Sequence, residues 1–296
     1  MADRPAPYVI EGEMPALVEP VLVVVLSGWI DASGAAAAAA EHVASQTRAR
    51  TFLTFDDDTF IDFRARRPVM KLRDSVISDI AWSTPVMRHG RDENDRDVVL
   101  LTGPEPDTAW KLFARTVADI CTELGVTSMI GLGAYPFGAP HTRPVGMTAT
   151  SPSAETVTRL GLARTSLDAP AGAQTLLEQV LTERGIDAFG LWAQVPHYVA
   201  SMAYPAASAA LVEALNREAR LTIDPAALRR EATIQRERLD HLVAANDDHS
   251  EMLKKLEAAH DAVAPPIPAL DQPIPSVDEI AAEVEQFLRD QQDRNQ

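Results

Sequence analysis

Two hydrophobic periods alternate along residues 1–222. Val21–Leu26 is an unbroken apolar run rich in β-branched residues, the pattern of a strand buried on both faces. Ser27–Gly34 interrupts it as a turn. Ala35–Val43 follows as an alanine-rich helix that can lie close to a sheet. The same strand–loop–helix order recurs. Arg50–Phe55, Asp97–Thr102, Thr127–Gly133 and Ala188–Ala193 read as strands. Thr108–Leu124, Gly172–Arg184 and Pro205–Arg220 read as helices, with Gly125 and Gly185 as stop signals. Strands alternating with helices predict an α/β fold whose mostly parallel sheet is covered on both faces.

Two stretches depart from this order. Residues 69–98 lack a helical period and read as a β-hairpin insertion. Its strands are Met70–Ile77 and Ile80–Met87, and His89–Arg96 is a polar tip. A two-stranded arm is marginal in isolation and needs a surface to pack on, such as a subunit interface. Residues 223–296 read as a helical extension of the 1–222 core. Asp224 and Pro225 open a helix that runs to Ala245, and Ser250–Val263 continues after a break at Asn246–His249. Residues 264–275 form a stiff proline-rich linker, and Ser276–Glu279 is a capping box for a last helix.

Composition narrows the choice of partner. The chain has 296 residues, 27 Lys and Arg against 43 Asp and Glu, and a formal charge of −16. So acidic a surface repels phosphate backbones and anionic membranes, so no nucleic acid and no membrane is expected as a partner. No apolar run approaches the length of a membrane helix. Met1–Pro7 lacks the basic and apolar regions of a secretory leader, and a cytoplasmic location is expected. The single cysteine, Cys121, excludes a disulfide framework and multi-cysteine metal sites, and the histidines have no zinc spacing. No metal and no cofactor is expected.

In open α/β sheets ligands lie beyond the carboxyl ends of the strands, which selects four loops. The first holds Gly28, Trp29, Asp31, Ser33 and Gly34, where a helix start could receive an anion. Its glycine spacing is not a dinucleotide fingerprint, and no lysine follows Gly34 as in a phosphate-binding loop. Asp31 or Ser33 could equally cap the helix. The second contains Asp56 and Asp58, carboxylates that could hold a cation or ribose hydroxyls, or form a solvated acidic turn. The third carries His141, a proton carrier near neutral pH, and Arg143, a clamp for carboxylate or phosphate. The fourth carries His197 and Tyr198, which could line a pocket or pack under the helical tail.

These segments together resemble the proteasome assembly chaperone 2 family. Val23-Val-Val-Leu-Ser-Gly-Trp-Ile-Asp-Ala-Ser-Gly34 is similar to its opening motif. Phe55–Pro68, Thr102–Asp107 with Trp110, Pro140–Pro144 and Leu191–Val199 resemble the next four, in consistent order over residues 15–260. Ile30 stands where the family usually has Asn. Residues 168–172 lack its usual Pro-Thr-Gly. The resemblance is to the longer bacterial branch with a helical tail. It implies an α/β/α sandwich similar to purine nucleoside phosphorylases and related hydrolases. It also implies a homo-oligomer, a trimer with the hairpin arm in its contacts, and a tail that closes over a pocket.

Two functional readings stand at this point. One is a non-enzymatic binding or assembly protein with a protein partner. The other is a small-molecule enzyme or sensor. It would hold a small anionic ligand at the Gly28–Gly34 helix start and Arg143, with His141 or His197 as proton carrier and the tail as a lid. A deep pocket joining the four loops favours the second reading, and a filled sheet edge favours the first.

Overall fold

A computed structural model describes residues 6–262 of the chain. The linker at 264–275 and the helix expected after Ser276 lie outside the described residues. An eight-stranded sheet organises the molecule, in the order β1-β3-β6-β7-β2-β8-β10-β9. These strands are β1 (Tyr8–Ile10), β2 (Val21–Ser27), β3 (Arg50–Phe55), β6 (Val86–Arg91), β7 (Asp97–Pro104), β8 (Ser128–Phe137), β9 (Met147–Thr150) and β10 (Asp187–Pro196). A separate ribbon is made of β4 (Val69–Arg73) and β5 (Val76–Ala81).

The sheet is mixed rather than mostly parallel. Its central strands β7, β2, β8 and β10 run parallel, and β1, β3, β6 and β9 join antiparallel at the flanks. The central strands are buried on both faces, and their side chains divide by the period of two. Val21, Val23 and Val25 of β2 enter one core, and Leu22 and Val24 enter the other. The first core is covered by α1 (Ala35–Gln46) and α6 (Pro205–Ala219). The second is covered by α3 (Trp110–Glu123) and α5 (Ala173–Glu183). The result is the three-layer α/β/α sandwich expected from the resemblance. The alanines of α1 explain its close seat, since Ala35, Ala36, Ala39 and Ala40 are all buried.

The insertion is shorter than the 69–98 arm that the sequence predicts. Asp74 and Ser75 both take positive φ, 50° and 65°, and close a two-residue hairpin turn between β4 and β5. Val86–Arg91 leaves the arm and enters the main sheet between β3 and β7, so the polar tip shrinks to residues 92–96. The polar look of β6 is what misleads. His89 and Arg91 each reach Asp97 of β7 at 2.8 Å, which satisfies them within the sheet. The short elements β1, β9, α2 (Asp57–Phe60) and α4 (Ala154–Leu160) have no clear period in the sequence. α4 does carry a legible cap, with Ser153 Oγ accepting from the Thr156 amide at 3.2 Å.

The extension forms α7 (Ala226–Ala244) and α8 (Asp247–Ala262). Asp224 accepts from the Ala226 amide at 2.9 Å, and Asn246 Oδ1 accepts from the amides of Asp248 and His249. α7 buries Leu228, Leu239 and Val243, whereas α8 buries no residue. Half-buried Met252, Leu253 and Leu256 and the polar contacts described below seat α8.

Candidate functional site

The four loops form two separate places. At the carboxyl edge of β2 and β7, Arg66 joins three segments distant in sequence. Its Nε donates to both oxygens of Asp107 at 2.9 and 3.1 Å, and Nη1 donates to the Ser27 carbonyl at 3.4 Å. Gly28 is required beside it. Its φ is +123°, and a Cβ there would stand 2.5 Å from Arg66 Nη2.

Carboxylates of the chain itself occupy the helix starts at this edge. Asp31 accepts from the amides of Ala36 at 2.8 Å and Ala37 at 3.0 Å, capping α1. Burial pushes its carboxyl up, and these amide bonds only partly offset that. Glu105 does the same for α5, accepting from the Ala173 amide at 3.0 Å. An anion at either helix start would meet a carboxylate. Ser33 is not the cap, and its buried hydroxyl has no partner among the described residues. Trp29 is half-exposed and lies against Gly172. Between Trp29, Asp31, Glu105, Gln174 and Trp192 there remains a cavity of about 20 Å³, room for one water.

Beneath this edge lies a buried polar cluster that the sequence did not announce. Glu178 is 1% exposed and accepts from Thr150 Oγ1 at 2.9 Å and Gln174 Nε2 at 3.4 Å. Trp192 Nε1 donates to Thr150 Oγ1 at 3.1 Å. Burial pushes the Glu178 carboxyl up to about 7. Gly131 and Gly190, paired across β8 and β10, make the room. A Cβ on Gly131 would stand 2.2 Å from Gln174, and one on Gly190 would stand 2.6 Å from Glu178.

Asp56 and Asp58 do not converge with the other candidates. Asp56 accepts from Thr59 Oγ1 beside α2, Asp57 accepts from Thr84 Oγ1 at 3.0 Å, and Asp58 faces solvent. Among the described residues, no group of three or more His, Cys, Asp or Glu is placed to hold a metal ion. Cys121 is buried, and its thiol is pushed up to about 12 by desolvation.

The second place is the turn after β8, under the helical extension. His141 is 4% exposed and tied through its amide and both ring nitrogens. Tyr198 Oη accepts from its backbone amide at 2.8 Å and pairs with Nδ1 at 2.7 Å, while Nε2 reaches Asp240 of α7 at 3.0 Å. A hydroxyl that accepts from the amide and donates to Nδ1 leaves the ring proton on Nε2, pointing at Asp240. Arg143 donates to Asp261 of α8 from Nε and Nη2 at 2.8 and 2.7 Å, and to Glu257 from Nη1 at 3.2 Å. Thr142 donates to Glu257 at 2.5 Å. His197 is exposed and touches Tyr198 edge-on, with 5.4 Å between ring centroids. The structure thus joins His141, Arg143 and Tyr198 to the extension and leaves His197 outside. Asp240, Glu257 and Asp261 are the partners of this turn that sequence reasoning missed. They lie about 100 residues away on a helical face that reads as plain solvated charge.

Comparison with known proteins agrees with the fold. The PAC2 family model matches residues 25–243. No curated protein matches the chain. A protein of unknown function from Corynebacterium glutamicum is 29% identical, with a TM-score of 0.81 over 87% of this chain and 97% of that one. A Mycobacterium tuberculosis protein of unknown function is 31% identical, with a TM-score of 0.80 over 88% and 92%. A proteasome-assembly chaperone homologue from the same organism is 30% identical, with a TM-score of 0.73 over 79% and 99%. The matched region takes in the Arg66 junction and the His141–Tyr198 tie, and the chain belongs to the PAC2 family.

Proposed function

We propose that the chain is a non-enzymatic assembly protein that works through protein–protein contacts as a homo-oligomer, a trimer with the β4–β5 ribbon in its subunit contacts. The observation that carries this reading is the ribbon itself. Val69, Met70, Leu72, Val76, Ile77 and Ile80 on it are all large, apolar and 44–65% exposed. Trp82 at its base is 52% exposed and packs on Phe63, with ring centroids 4.7 Å apart. Grouped exposure of this kind marks an interaction surface, and a lone two-stranded ribbon needs a surface to rest on.

The charge of the ribbon is compatible with a second copy as the occupant. The ribbon's own charges balance, with Lys71 and Arg73 against Asp74 and Asp79, and Lys71 donates to Asp79 at 2.7 Å. A charge-balanced apolar arm adds no repulsion of its own against a second copy of a chain whose formal charge is −16. The filled carboxyl edge supports the non-enzymatic part, since Asp31 and Glu105 are spent on helix starts and Arg66 on Asp107. The relative described as a proteasome-assembly chaperone homologue supports the assembly role. A cytoplasmic location belongs to the same reading, and no described helix is long and apolar enough to cross a membrane.

Light scattering after size-exclusion chromatography tests it. The wild type is expected at three times 32.1 kDa, and Ile77→Asp/Ile80→Asp at the monomer mass with unchanged far-UV circular dichroism. A monomeric wild type, or an unchanged mass in the variant, would overturn the reading.

A further inference from the structure

A groove of about 520 Å³ runs between α6 and α7 and ends against the turn that holds His141. That is ample for a small molecule. Its floor is small and apolar, with Ala206, Ala209 and Ala210 from α6 and Ala232 from α7. The lining sets three arginines, Arg143, Arg229 and Arg236, against one carboxylate, Glu213. Arg143 and Arg229 are both engaged, Arg229 with Glu213 at 2.7 Å. Arg236 is not. Its contacts are one 3.4 Å bond to the Thr142 carbonyl and an ion pair with Asp240 stretched to 4.0 Å. Tyr204 is 5% exposed and lines the groove, and its phenol makes no hydrogen bond among the described residues. Burial pushes that phenol up to about 12, so it keeps its proton. A guanidinium with donors to spare and a phenol O–H without a protein partner, both lining the groove, are complementary to an anion.

We propose that the α6–α7 groove binds a small acid, its carboxylate or phosphate head held by Arg236 and Tyr204 and its apolar body lying on the alanine floor. The site is distinct from the Gly28–Gly34 loop, where Asp31 and Glu105 oppose an anion. It is independent of the ribbon and of oligomeric state. Octanoate and octyl phosphate are suitable probes for calorimetric titration of the full chain, with octylammonium as the control of opposite charge.

Saturable binding of one or both acids is expected, weakened at least about tenfold in Arg236→Gln and several-fold in Tyr204→Phe. No binding of octylammonium is expected. Which acid binds better identifies the head group. Because Arg236 is half-exposed, its replacement leaves the fold intact, and the melting temperature of the variant checks this. Absence of binding by both acids would overturn the proposal. So would binding that Arg236→Gln leaves unchanged, because the acid would then sit elsewhere.

Discussion

Arg143 and Asp261 stand 118 residues apart in the chain and meet through two parallel hydrogen bonds of 2.8 and 2.7 Å. This fork-to-carboxylate geometry is directional and strong for its type. It matters because no residue of α8 is fully buried, and its apolar contacts stop at the half-buried Met252, Leu253 and Leu256. Arg143→Ala is expected to free α8 while the sandwich stays folded. Hydrogen exchange would show residues 247–262 losing protection with β2 and β8 unchanged. Equal protection of α8 in the variant would mean that Asp247–Ala262 is held in some other way.

Acid should release the same contact. The Arg143 guanidinium holds the Asp261 carboxyl down at about 2, below its ordinary 3.8. A group with a lowered native pKa stabilises above its unfolded value and loses that effect as the pH falls through the native one. α8 should therefore keep its protection at pH 4 and lose it between pH 4 and pH 2, read by exchange or by chemical shifts of its amides.

Glu178 has the opposite sign. Its carboxyl is raised from 4.5 to about 7 by burial, so the folded state binds more protons than the unfolded one in that window. Stability should fall as the pH rises from 4.5 to 7 and level off above, by about 3 kcal/mol from this group. Glu178→Gln keeps the shape and removes the titration. Urea unfolding at pH 5 and pH 8 should show a smaller loss across that range in the variant than in the wild type. Equal slopes would contradict the assignment.

Gly190 and Asp31 test the local packing. Gly190→Ala places a methyl 2.6 Å from Glu178 and 2.7 Å from Thr150 Oγ1, and should cost about 1–3 kcal/mol through overpacking. Asp31→Ala removes the acceptor for two α1 amides and should cost about 1 kcal/mol. Both are read by denaturant melts with unchanged m-values.

Much of the sandwich could be read from period alone. Val21–Leu26 shows both-face burial in its composition, and the helices Thr108–Leu124 and Gly172–Arg184 differ from the observed α3 and α5 only at their ends. The antiparallel flanks could not, because β6 hides among charges that find partners only once β7 lies beside it. The site divides in the same way. His141, Arg143 and Tyr198 stand out as chemistry-bearing residues in turns, yet what they bind is set by α7 and α8. Tyr204 and Arg236 carry no local signal, since a tyrosine before a helix and an arginine on its exposed face are ordinary until a groove separates them. Glu178 and its glycine pair are invisible for a related reason: only strand register places Gly131 beside Gly190.

Hydrogen exchange of residues 69–81 at rising protein concentration probes the assembly surface itself. An isolated ribbon exchanges fast. If β4 and β5 lie in contacts between copies, their amides become protected as concentration rises and lose protection on dilution, and Ile77→Asp/Ile80→Asp removes the effect at every concentration. Fast exchange that does not change with concentration in the wild type would contradict a role for the ribbon in self-assembly.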